Sequence, residues 1–343
     1  MAFHDARDRI KAETINYQYR KPMEVLRDSG HRVRSWQRHP VHKIKQGYAY
    51  VIAGKPVLTF DTSVHNRLVD DGEKSDSIFA RLKDGYFVRL AGLAIEEIIA
   101  TPDRSERAAL LQGFSRLRCG AHDCLLPNNE LLRQLIRAHE SDGAKFDWRS
   151  VNVTSPEYAS GTSDHDLIAD DQLSEQQRLH LMEQKKAFEK PFSDLRPKLD
   201  KILRKHKEPH PLSFREVLPQ IRPEGGLVCG FAKALYERGG WSSLSDVSIG
   251  DFMDRCPPFR AAVYGLLLAW YDRSLGDRHN REKFQAGRID IFMAVYLPYC
   301  DQFITAEEHG EQERCLQEVA FAADINTHVR SYDDFCNGLL LPH

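Results

Sequence analysis

The chain has 343 residues, 41% hydrophobic and 29% charged, enough to bury a sizeable core without disulfide or metal staples. Its 48 Lys+Arg against 50 Asp+Glu leave a net charge of −2, so bulk charge advertises no nucleic-acid partner and any attraction to phosphate must be local. Seven scattered cysteines, an odd number, fit reduced thiols better than a disulfide framework. The polar start, Met1 to Arg9, lacks the apolar centre of a signal peptide. The most apolar helical run, Ala261 to Tyr271, falls short of the roughly 20 residues a bilayer span needs. These features lead to the expectation of a soluble, cytoplasmic protein with no membrane partner.

Residues 1–47 form a locally basic arm, with Arg20, Lys21, Arg27, Arg32, Arg34, Arg38, Lys43 and Lys45 interleaved with Tyr17, Tyr19 and Trp36. Such a segment either contacts nucleic acid, through charge and stacking, or folds as a solvated extension over the main domain. From Tyr48 the character changes. Pro56 to Phe60 is a short β-rich run ending in Asp61, and Tyr86 to Leu90 reads as another strand. A helix around Ser77 to Lys83 precedes that second strand. An apolar helix carrying Glu96 and Glu97 follows it, and a further helix runs from Pro102-Asp103-Arg104 to about Leu117.

Cys119, His122 and Cys124 match no common zinc spacing and read as a loop. Asp142 to Ser163 is rich in Ser, Thr, Asn and Gly and looks like a long loop or linker. Asp170 to Lys190 is a polar helix, halted by Pro191. Leu195 to Lys207 is strongly basic, either an RNA or partner surface or a solvated face. The last third returns to alternation: helices over Phe259 to Tyr271 and Arg281 to Tyr296, a strand over Asp301 to Thr305, a helix over Glu311 to Ala323 and a strand over Ile325 to Val329. Strands alternating with helices predict an α/β fold with a mostly parallel sheet covered on both faces. The boundaries read as an arm (1–47), a first half (48–120), a helical insertion (121–253) and a second half (254–343).

Four places carry chemistry. Asp61 ends the first strand, where ligands of open α/β sheets bind, although Asp is equally a favoured helix N-cap. Glu96 and Glu97 interrupt an apolar run. Adjacent helical carboxylates diverge, so one points inward and must be compensated by a metal or by a salt bridge to Arg89 or Arg107. Asp290 heads the apolar stretch Ile291 to Val295, as a site acid or as a first-turn acid favouring the helix dipole. Asp301, Glu307 and Glu308 flank the next strand. Several carboxylates around one sheet edge suit Mg²⁺ or Mn²⁺, whose arrival relieves their mutual repulsion.

Asp61-Thr62-Ser63 at a strand end resembles the opening motif of PIN domains. Ala94 to Ala100 resembles the second acidic motif, in a register that selects Glu97. Asp290 to Thr305, with its Tyr296-Leu297-Pro298-Tyr299-Cys300-Asp301 turn, looks like the bacterial PIN-like pattern of an Asp-led helix and a strand ending in Thr. The segment Ile325 to Phe335 is similar to the last PIN strand and the acidic turn after it. The resemblance covers roughly 48–117 and 254–335, and leaves the arm and the middle unexplained. It implies a three-layer PIN-like fold with a helical insertion, and an Mg²⁺- or Mn²⁺-dependent endoribonuclease of the kind often found as toxins or defence effectors. The implied metal ligands and catalytic groups are Asp61, Glu97, Asp290 and Glu307. Thr62, Ser63 and Thr305 would orient them, with Glu96, Asp301 and Glu308 as alternates. The implied partners are RNA or single-stranded nucleic acid, an inhibitor or partner protein, and a second copy of the chain. One departure matters: the family has Thr-x-Asp where this chain has Thr305-Ala306-Glu307, an acid longer by one methylene. It motivates an alternative, a catalytically weak PIN-like scaffold binding RNA or a protein through the insertion. A haloacid-dehalogenase phosphatase would need an acid at position 63, which is Ser63.

Overall fold

Among the described residues, four short runs of β-branched and aromatic residues make one all-parallel sheet. They are β1 (Val57–Phe60), β2 (Phe87–Arg89), β3 (Gln302–Thr305) and β4 (His328–Ser331), in the order β2-β1-β3-β4. Every residue of β1 is buried, as a central strand covered on both faces requires. Its register sets Thr59 beside Arg89 on one side and Phe60 beside Ile304 on the other. A parallel bridge from Leu90 to Cys124 extends the β2 edge by one residue pair. The computed structural model describes residues 55–117, 124–155, 170–184, 213–221, 226–237, 244–275, 290–307 and 311–340. The basic arm 1–47, Cys119, His122, the basic run 195–207 and Glu308 lie outside the described residues.

In chain order the α-helices are α1 (Thr62–Asp70), α2 (Glu73–Gly85), α3 (Gly92–Ile99), α4 (Arg104–Leu117), α5 (Asn128–Asp142), α6 (Phe214–Ile221), α7 (Leu227–Glu237), α8 (Asp246–Arg255), α9 (Pro257–Leu275), α10 (Glu311–Ala322) and α11 (Tyr332–Leu340), with a further helical run at 171–184. Strand alternation sorts them into two layers. Val57 and Phe303 point into one core with residues of α5 to α10. Leu58, Phe60 and Ile304 point into the other with Val64 of α1, Ile78 of α2, Phe114 of α4 and Phe335 of α11. The expected three-layer α/β architecture is therefore present. The described helices between 124 and 253 share the first core with α9 and α10. Among the described residues no helix is long and apolar enough to cross a membrane.

Three elements differ from their sequence reading. Residues 290–299 form a 3-10 helix, Asp290–Tyr299, where an α-helix was expected, and 281–289 lie outside the described residues. Its run Met293 to Leu297 is buried without a break, so it shows no 3.6-residue polar stripe that would mark an amphipathic α-helix. It packs tightly on α9, where a Cβ at Gly265 would stand 3.0 Å from the Ile291 side chain. The final strand begins at His328, three residues beyond its expected start, because Ala323, Asp324 and Ile325 still close the end of α10 through N–H bonds to Val319, Phe321 and Ala320. The described part of the expected linker, up to Ser155, is anchored: two 3-10 turns, Gly143–Lys145 and Trp148–Ser150, bury Phe146 and Trp148, and Trp148 meets Tyr299 edge-on at 5.1 Å.

Candidate functional site

Asp61 stands one residue past the end of β1. Its N–H donates to the Ile304 carbonyl at 3.2 Å, continuing the ladder, and its side chain caps α1. The N-cap reading of this residue holds, at the strand-end position the sequence predicts. Oδ1 accepts from the Val64 N–H at 3.0 Å and from the Ser63 hydroxyl at 2.7 Å. The Ser63 hydroxyl in turn accepts from the Ala306 N–H at 2.8 Å, tying the cap to the end of β3. Oδ2 is buried with no donor in full hydrogen-bond geometry, and the Thr305 hydroxyl is close enough to act on this carboxylate as a donor. Burial pushes the Asp61 carboxyl up to about 6. Thr305, Ser63 and the Val64 N–H draw it back, while the charge of nearby Glu307 raises it further.

Glu97 reaches the same edge from α3. The Thr62 hydroxyl donates to its Oε2, which joins the first residue of α1 to the second acidic motif. The neighbouring Glu96 turns inward, only 8% exposed, and one of its oxygens has no hydrogen-bond partner. Burial raises it to about 8, with a further push from the charge of Glu97, and Gln177 of the helical run 171–184 pulls it partly back. It therefore keeps its proton at neutral pH, whereas Glu97 is half-buried and held by a hydroxyl. The two acids diverge as helical geometry demands, and the resemblance register selected the one that faces Thr62.

The candidate salt-bridge partners of these acids have other established contacts. Arg89 donates to the Tyr299 carbonyl. Arg107, fully buried, donates to the carbonyls of Thr101 and Pro102 and to Asp171, the last at 2.6 Å. Asp171 belongs to the run 171–184, whose Ser174 hydroxyl also reaches the Thr101 carbonyl at 3.0 Å. This run therefore clasps the turn that follows α3, and it brings Gln177 beside Glu96.

Comparison with protein-family models, with curated proteins and with solved structures gives no match to this chain. What the site can do rests on its own residues.

Asp61, Thr62, Ser63, Glu97, Thr305 and Glu307 meet at the carboxyl edge of the sheet, linked by the bonds above and by the charge of Glu307 on Asp61. Asp290 begins the 3-10 helix that leads into β3, and its side chain is outside the described residues. Among the described residues no three His, Cys, Asp or Glu side chains gather closely enough to hold a metal ion.

Asp301 does not belong to this edge. Its Oδ2 accepts from the Val57 N–H at 2.7 Å, and its own N–H donates to the Val57 carbonyl at 2.9 Å, at the amino end of the sheet. It is a strand-entry cap, one β-strand length away from Asp61. Cys124 is buried in the bridge beside Leu90, its thiol 3.5 Å from the Leu125 carbonyl.

Gln312 is a member of the site that sequence reasoning missed. Only 5% exposed in the first turn of α10, it accepts from the Thr305 hydroxyl at 2.7 Å. An isolated Gln in a polar first turn carries no signal; only the register of β3 against α10 reveals it.

Proposed function

We propose that this chain is an Mg²⁺- or Mn²⁺-dependent PIN-like endoribonuclease. One observation carries the reading: Asp61, at the carboxyl end of the central strand, keeps a buried oxygen with no donor in full hydrogen-bond geometry while Glu97 and Glu307 flank the same edge. A buried acceptor short of a full hydrogen bond is costly unless a ligand satisfies it, and oxygen donors of this kind suit a hard divalent cation. Asp61, Glu97, Asp290 and Glu307 would hold it, with the extra methylene of Glu307 lengthening that arm. When bound, such an ion supplies an activated water and a counter-charge for a phosphodiester in transit.

The chain's own residues do the rest. Thr62 fixes the Glu97 carboxylate, and Ser63 fixes Oδ1 of Asp61, so neither acid needs to reorganise when a substrate arrives. The substrate class proposed is RNA or single-stranded nucleic acid, in the cytoplasm, with an inhibitor protein or a second copy of the chain as further partners. A toxin or defence role is proposed from the resemblance alone.

The test is cleavage of RNA in Mn²⁺ by the wild-type chain and by Asp61→Asn, with thermal melting as a check on folding. An Asn retains an acceptor for the Val64 N–H, so the variant is expected to fold and to lose cleavage. Unchanged metal-dependent cleavage by Asp61→Asn sinks the proposal. A folded wild-type chain that cuts neither RNA nor single-stranded DNA favours the scaffold alternative instead.

A further inference from the structure

His139 stands in the last turn of α5, and its carbonyl accepts from the Gly143 N–H that ends the helix. Its ring is half-buried among three aromatic side chains from three other elements. Phe252 of α8 lies with ring centroids 4.3 Å apart, Phe146, just past the 3-10 turn 143–145, at 5.4 Å, and Tyr236 of α7 at 6.2 Å. The Tyr236 hydroxyl donates to the Glu140 carboxylate, a group that only accepts. Burial first, and then Glu140, hold that phenol well above its usual range, so it keeps its proton. Its oxygen is left to accept, and His139 Nδ1, 3.2 Å away, can bond to it only as an N–H donor. One neutral ring thus joins α5 to α7 through a hydrogen bond and to α8 through a stacked face.

A positive charge on that ring would be poorly paired. Its hydrogen-bond partner among the described residues is the neutral phenol. Glu140 and Asp251 favour a proton on the ring through their charge, and Arg255 opposes it. Both acids are already engaged, Glu140 by Tyr236 and Asp251 by Arg255 at 3.5 Å. Arg255 is committed beside the ring, donating to the carbonyls of Gly143, Ala144 and Phe146 at 3.2, 3.0 and 2.7 Å. Burial outweighs these charges and holds the imidazole below its ordinary range. The enclosure and the guanidinium act on the ring whichever nitrogen carries the proton.

We propose that His139 is an acid-sensitive latch in the helical insertion: neutral, it fastens the end of α5 to α7 and α8, and a proton on it releases the segment 139–146 from both helices. The latch needs no cation and is independent of the ribonuclease reading. A histidine held below its unfolded value of about 6.5 gives a contribution that is whole above that pH and is lost as pH falls below it.

The test is hydrogen exchange of the full chain between about pH 7.5 and pH 5, corrected for the intrinsic pH dependence of amide exchange. The comparison is with His139→Asn, which offers an N–H donor at that place and cannot be charged. Protection of residues 139–146 is expected to fall about threefold or more beyond any fall in the variant, with one proton limiting the change to about tenfold per pH unit. Equal loss in wild type and His139→Asn overturns the latch, as does a loss shared equally by α4, whose Phe114 meets His65. NMR of selectively labelled histidine reads the wild-type ring directly. The neutral His139 ring is expected to carry its proton on Nδ1 and to titrate below about 6.5. A neutral ring protonated on Nε2, or one that titrates at or above that value, overturns the proposal.

Discussion

The Thr62 hydroxyl donates to the Glu97 carboxylate, joining the first residue after the Asp61 cap to the middle of α3 across 35 positions of sequence. The two acidic motifs are thereby locked into one edge by a side chain that carries no charge. Thr62→Val keeps the shape of the side chain and removes the donor. On the metal-dependent reading proposed above, cleavage or cation affinity is expected to fall by about 10–100-fold, the usual effect of losing a partner that orients a ligand. The melting temperature should stay close to wild type, because Glu97 is only half-buried and water can replace the hydroxyl. Calorimetric Mn²⁺ titration with a parallel thermal melt separates the two effects.

Asp301 provides the contrasting case. Asp301→Ala deletes the acceptor of the Val57 N–H at the amino end of the sheet. A loss of about 1–2 kcal/mol in unfolding free energy is expected, as for a part-buried bond to a charged group. Any cleavage activity should persist in the folded fraction. Denaturant unfolding together with specific activity per folded molecule checks this, and an Asp301→Ala chain that is stable but inactive would show that this acid had been placed at the wrong edge.

His65 makes stability depend on pH. Its ring is buried between Phe60 and Phe114, neither nitrogen has a hydrogen-bond partner, and burial lowers its pKa to about 4. The unfolded chain, near 6.5, takes up the proton first as pH falls. The contribution of neutral His65 is thus fully present above about pH 6.5 and is lost as pH drops toward 4. At pH 5 the loss is about 2 kcal/mol relative to pH 7.5. Asp61 and Glu96, both raised, act in the opposite sense, their contributions being lost as pH rises through about 6 and about 8. The difference between wild type and His65→Leu isolates the histidine: the variant should gain about 2 kcal/mol on wild type between pH 7.5 and pH 5 in chemical denaturation.

Gly92 opens α3 in a place with no room for a side chain. A Cβ there would lie 2.5 Å from both the Leu125 carbonyl oxygen and the Pro127 nitrogen. These are backbone atoms, so the clash cannot be relieved by a rotamer change. Gly92→Ala is expected to destabilise the chain by about 3 kcal/mol, despite the better helix propensity of Ala, and to loosen the helix that carries Glu97. Urea unfolding gives the stability cost, and hydrogen exchange in α3 reports the loosening.

The strand-end position of Asp61 was legible because a β-rich run, Val57 to Phe60, stops abruptly at an acid. The two-layer helical cover was legible from the alternation of runs. The position of Asp301 was not: Asp61 and Asp301 are both acids beside short apolar strands, and only the strand direction separates the cap that enters a strand from the acid that leaves one. The segment 143–155 misled through its polar composition. Phe146, Trp148 and Val153 pin it, and Arg255 holds it by donating to the carbonyls of Gly143, Ala144 and Phe146, contacts more than 100 positions away in sequence. Gln312 was invisible for the same reason, since its importance lies in one hydroxyl contributed by another element.

The pairing of β1 with β3 has a consequence in time. Phe60 pairs with Ile304, so the two central strands can meet only by closing the long loop 61–303. Closing so long a loop brings no reward until its ends touch, which makes this a late event in folding. On a ribosome, Asp61 emerges well before β3 and stays without Ser63's tie to Ala306, 243 positions further on, and without Thr305 and Gln312, until that strand has been made. A chain cut short anywhere between β1 and β3 therefore carries Asp61 and Glu97 without the strand that gathers them.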